Sequence, residues 1–103
     1  IKTMDNNLEI KNCKAYLKTL LTDEDTIYTN CQHVSQSGMT RDIQLLFVKD
    51  DKLINLNYYV SKALGNRIVN NGIRIGGCGM DMGFALVDNL ASVLDIKLHH
   101  RWI

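Results

Sequence analysis

Four glycines fall within eight positions, Gly76, Gly77, Gly79 and Gly83, and Cys78, Met80, Asp81 and Met82 stand among them. Glycine tolerates positive φ and lets a ligand or another backbone come close. Before the turn, Ile73 and Ile75 flank Arg74, a short strand alternation with Arg74 turned away from the apolar face. After it, Leu86, Val87, Leu90, Val93 and Leu94 recur at the spacing of an amphipathic helix. A glycine turn entering a helix aims free amide N–H groups at one spot, where the helix dipole favours negative charge. The chemistry this spacing offers is anion binding by the amides of Gly77 to Met80, with Arg41 or Arg74 as the clamp, since a guanidinium grips phosphate in two-pronged fashion. Asp81 competes for the same role from within, as a helix cap. The plain alternative is that the glycines only permit close strand-to-helix packing. The turn lacks the Lys-Ser/Thr of a phosphate loop and the spacing of a dinucleotide site.

A second chemistry is nucleophilic. Cys78 stands where a helix N-terminus lowers a thiol pKa, and with His33 as base and Asp81 as orienter it would make an activated thiolate. Nothing in the sequence brings His33 to Cys78, and cysteine is among the most buried residue types. Arg41 has a structural alternative as well, an ion pair with Asp81 that would tie its own turn to the glycine turn. That pair and the anion pocket compete for one guanidinium. Met39, Met80 and Met82 offer an adaptable apolar contact surface. His99-His100-Arg101-Trp102 near the end combines arginine and tryptophan, which concentrate at interface hot spots; the alternative is a disordered tail, or Trp102 closing the edge of the core. Cys13, Cys31 and Cys78 form no C-x-x-C pair, so neither a disulfide framework nor a structural zinc is expected, although His33, His99 and His100 are present. No metal or cofactor is expected.

These residues need elements to hold them. A helix is expected from a cap at Asp5, Asn6 or Asn7 to about Leu21, with a stripe of Ile10, Cys13, Leu17, Leu20 and Leu21, and residues 1–6 are expected to be frayed and disordered. Thr26 to Val34 carries β-favouring residues. Ser35 to Arg41 interrupts with a turn at Gly38. Arg41 to Lys49 reads as a central strand because it turns apolar on both faces, and Asp50-Asp51 links it as a hairpin to Lys52–Leu56. A short helix capped by Asn55 or Asn57 ends at Gly65. Asn66 to Asn71 reads as a polar loop, and 95–103 as a tail or an edge strand. The expected fold is one two-layer α+β domain, a small, mainly antiparallel sheet against about three helices.

The 103 residues, 46% hydrophobic and 22% charged, describe a globular domain. A net charge of +1 argues against a general nucleic-acid binder. No apolar run approaches the roughly 20 residues that span a bilayer, and Ile1 to Asn7 is too short and polar for a leader. A cytoplasmic protein without a membrane partner is expected.

Val34-Ser35-Gln36-Ser37-Gly38-Met39-Thr40-Arg41 and Gly76-Gly77-Cys78-Gly79-Met80-Asp81-Met82-Gly83-Phe84 together resemble a widespread family of small phage and prophage proteins. Its pattern is a Ser-Gly-Met-Ser/Thr-Arg turn before a strand, a Tyr-Tyr-Val-type helix, and a Gly-Cys-Gly-Met-Asp-Met turn before the last helix. The likeness covers roughly Tyr28 to Leu94. It implies a phage accessory gene and no particular activity. Small proteins of that kind often counter host defence, as anti-CRISPR proteins or as sponges for signalling nucleotides. The expectation is therefore a non-catalytic binder of a host defence protein or a small anionic nucleotide. Its ligand site would use Ser37, Thr40, Arg41, Arg74, Gly77, Cys78, Gly79, Met80 and Asp81, with partner contacts from Met39, Arg101 and Trp102. A thiol enzyme acting through Cys78 and His33 is the competing reading. A structural or self-assembling homo-oligomer is the third.

Overall fold

Cys13, Leu17 and Leu20 recur at helical spacing and line the buried side of the first helix, α1 (Lys2–Leu20). The computed structural model describes residues 2–33, 40–69, 72–76 and 82–103. Within them the order continues β1 (Asp25–His33), β2 (Thr40–Lys49), β3 (Lys52–Asn55), α2 (Asn57–Leu64), β4 (Arg67–Val69), β5 (Gly72–Gly76), α3 (Met82–Leu94) and β6 (Leu98–Trp102). The fold is α+β, three helices on a mostly antiparallel sheet.

The described strands run β4-β5-β2-β1-β6, with β3 also paired to β2. Only the β1–β6 pair is parallel; β2 pairs antiparallel with β1, β3 and β5, as β4 does with β5. Alternate residues of the strands point to one face. On that face Ile27, Ile43, Leu45, Phe47 and Ile73 meet Leu17, Leu20, Val60, Leu86, Val87 and Leu90 from all three helices. Each fully buried aliphatic side chain contributes about 1.5–3 kcal/mol, and this single cluster is the core.

The opposite face carries no helix among the described residues. Val48 is 50% exposed there and Leu53, its register partner, 66%. The sequence pattern therefore located β2 correctly in the middle of the sheet, but its second apolar face meets solvent and not another layer. Since β5 covers the first part of β2 and β3 the last, the ladder leaves a gap at Leu45. Two groups from the start of α2 fill it: Asn57 Oδ1 accepts from Leu45 N–H at 2.8 Å, and Leu56 N–H donates to Leu45 O at 2.8 Å.

The turns follow their residues. Asp50 and Asp51 both take positive φ, 53° and 60°, as a two-residue hairpin of matching twist requires. Gly65 closes α2 at φ 73°. Gly72 is held at φ 137° against β2, where a Cβ would lie 2.5 Å from Ile43 O, so backbone packing demands glycine.

Several boundaries differ from expectation. The helix α1 already includes residues 2–6, ahead of the caps sought at Asp5 to Asn7. The N-cap of α2 is Leu56, without a side-chain cap bond, while Asn55 Oδ1 accepts from Asn57 N–H at 2.8 Å. Residues 67–69 are strand, not loop, because β5 offers them an edge to pair with. Val93 lies off the buried stripe of α3, at 37% exposure. Residues 98–102 form an edge strand.

Candidate functional site

The two motif segments flank one paired corner of the sheet. Thr40, near the end of the first, is the register partner of Gly76, which opens the second. One step inward, Arg41 sits between His33 on β1 and Ile75 on β5. The next row pairs Asp42 with Arg74. Ser37, Met39, Gly77, Cys78, Gly79, Met80 and Asp81 lie outside the described residues, and so does the Arg41–Asp81 pairing. Met82 is half-buried and packs against the core.

Strand alternation separates the two arginines. Arg41 shares the face of Ile43 and Leu45 and is 8% exposed. Arg74 projects from the bare face. There its Nε donates to Asp42 Oδ1 at 2.8 Å and its Nη2 to Asp42 Oδ2 at 3.0 Å. Asp42 itself has no exposed surface. The hydrogen-bonded carboxylate holds the Arg74 proton more tightly than usual. Arg41 and Arg74 are thus not interchangeable clamps of one pocket: they occupy opposite faces, and the Arg74 fork is engaged by a buried acid.

A second polar cluster lies where α3 meets β6. The Nε2 of His100 and Oγ1 of Thr29 share a hydrogen bond across the β1–β6 pair. The Phe84 ring meets the His100 ring edge-on at 4.1 Å between centroids, and Trp102 meets His100 at 4.8 Å. His100 Nδ1 is buried without a partner among the described residues. Burial pushes the imidazole pKa down, opposed by Asp88. The Trp102 ring lies so close to α3 that a Cβ on Gly83 would sit 2.5 Å from its Cη2. Trp102 is half-buried and packs over α3 at Gly83, while Arg101 is exposed on the bare face. A surface recess of about 610 Å³ runs along this strand, bounded by Phe84, Asp88, Leu98 and His100. On the bare face, His99 bonds Glu24, whose carboxyl is held below its ordinary range chiefly by that bond.

Of the other cysteines, Cys13 is buried in α1 and its thiol is pushed up by burial, then by Glu9, which suits packing and not catalysis. Among the described residues no three His, Cys, Asp or Glu side chains gather as a metal ion would need. No helix among them is long and apolar enough to cross a membrane. Compared with known proteins, the chain matches no family model, no curated protein and no solved structure.

The Asp42–Arg74 pair and the His100 cluster both escaped the sequence reading. Each joins residues distant in the chain, and the signal that would have found them is strand register, which periodicity does not carry.

Proposed function

We propose that the chain is a non-catalytic phage accessory protein that binds a component of host defence, and that its binding surface is the sheet corner at Thr40 and Gly76. The observation behind this reading is their pairing. Each member of that pair belongs to one motif segment, so two stretches 35 residues apart in sequence are joined at this pair. Glycine-rich backbone beside a hydroxyl side chain suits an anionic group on the target. The target class is a host defence protein presenting such a group, or an anionic signalling nucleotide.

The test is phage plaquing on a host that carries a defence system and expresses the chain. Wild type restores plaquing. Thr40→Asp, which sets a negative charge at the corner, loses that effect while keeping its melting temperature. A melting curve unchanged by a panel of cyclic and linear nucleotides removes the nucleotide version. Plaquing equal in wild type and Thr40→Asp removes the site.

A second reading has one observation in its favour. His33 and Ile75 are both register partners of Arg41, which sets them about 10 Å apart, two strand spacings. His33 therefore stands at the same end of the sheet as the start of the segment containing Cys78. Cys78→Ser discriminates: it abolishes a thiol enzyme and leaves a binder largely intact.

A further inference from the structure

The outer edge of β6 has donors and acceptors that a second copy of the same strand would satisfy completely. Lys97 O accepts from Glu24 N–H, and Ile103 N–H donates to Thr29 O, so the odd-numbered residues of this segment direct their backbone groups toward β1. Alternate residues of a strand direct theirs to the opposite edge. Leu98, His100 and Trp102 therefore present N–H and C=O outward, and no hydrogen bond to those outward groups is found among the described residues. β6 is the last strand on its side of the sheet. Nothing in Leu-His-His-Arg-Trp blunts the edge: it has no proline and no lysine, and Arg101 points to the bare face.

We infer that two copies of the chain associate through β6 in antiparallel register, with the two-fold axis at His100, to make one continuous sheet. In that register Leu98 faces the second copy's Trp102, and His100 faces its own equivalent. All three outward N–H groups and all three outward C=O groups find partners. The two-fold requires one surface patch to complement itself, and Leu98 and Trp102 do so as an aliphatic–aromatic pair. Their side chains lie on the helix side, where Phe84 is 46% exposed beside the recess along β6. The second copy's Leu98 and Trp102 cover that ring. On the bare face, His99 faces the second copy's Arg101, and the Glu24 carboxylate bonded to His99 meets that guanidinium. The charges are complementary across the axis, and this favours a second copy over an unrelated strand.

The experiment is sedimentation velocity on the whole chain across a wide concentration range. Wild type is expected to run as a dimer. Arg101→Glu sets two acids together and weakens self-association by about tenfold or more; the swap Glu24→Arg with Arg101→Glu recovers most of it. Residues 99 and 101 of opposite chains form a close, non-hydrogen-bonded pair with Cα atoms about 4.5 Å apart, within disulfide reach. An oxidised mixture of His99→Cys and Arg101→Cys chains therefore cross-links faster than either alone. A wild type that stays monomeric, an Arg101→Glu variant that dimerises as wild type does, or a mixture that cross-links no faster than its parts each overturns the inference.

Discussion

Asp42 has no contact with water, yet it sits on the side of the sheet that no helix covers. A carboxylate in that position is tolerated because Arg74 closes over it with two hydrogen bonds. Breaking such a pair costs far more than a solvent-exposed ion pair returns, since one charge is left buried alone. Arg74→Ala is expected to lower the melting temperature by roughly 10 °C. Arg74→Lys recovers only part, lacking the fork, and Asp42→Leu with Arg74→Met recovers most, because both charges leave together. His100 sets a different dependence. Its pKa lies below the ordinary 6.5 in the folded chain, first because it is buried, with Asp88 opposing. The folded imidazole then binds fewer protons than the unfolded one. Its contribution to stability is full above 6.5 and is lost as pH falls through 6.5 toward the native value. The urea midpoint should drop between about pH 7.5 and about pH 5.5, and the drop should shrink in His100→Gln. The Glu24–His99 bond acts in a lower window, because a lowered carboxyl pKa loses its contribution only below the ordinary 4.5.

At the scale of elements, β2 is served by two strands on one edge, and the seam between them is closed by α2. Asn57 supplies the acceptor that a continuous neighbouring strand would otherwise give to Leu45 N–H. Asn57→Ala strands that buried donor and is expected to cost about 1–3 kcal/mol in urea unfolding, whereas Asn57→Asp, which keeps an acceptor oxygen, costs less. The helices were legible in the sequence wherever the apolar stripe was long: Cys13, Leu17 and Leu20 in α1, and Leu86, Val87, Leu90 and Leu94 in α3, are the residues found buried. The Asp50-Asp51 hairpin and the Gly65 stop were legible because two or three residues decide them. β4 was not. Arg67-Ile68-Val69 is too short to show a period, and it becomes a strand only because β5 lies beside it. The role of Asn57 was hidden for the same reason: a side chain read as a local cap reaches instead to a strand 12 residues earlier.

For the whole molecule, composition and element order sufficed for the α+β class, since alternating strands punctuated by three amphipathic helices have few ways to bury one face each. The placement of Thr40 against Gly76 was beyond the sequence, because register is decided by the sum of contacts along both strands. So was the parallel docking of β6 on β1, which pairs Asp25 with Leu98 across 73 positions. That docking carries its own consequence for folding. The strand β6 supplies Leu98, half-buried against the core, and Trp102 over Gly83, so the flank of β1 is completed by a segment far from it in sequence. Contacts so far apart in sequence close slowly. Until β6 docks, the edge of β1 that it covers stays open, and a chaperone that shields unpaired strands would find its binding register there.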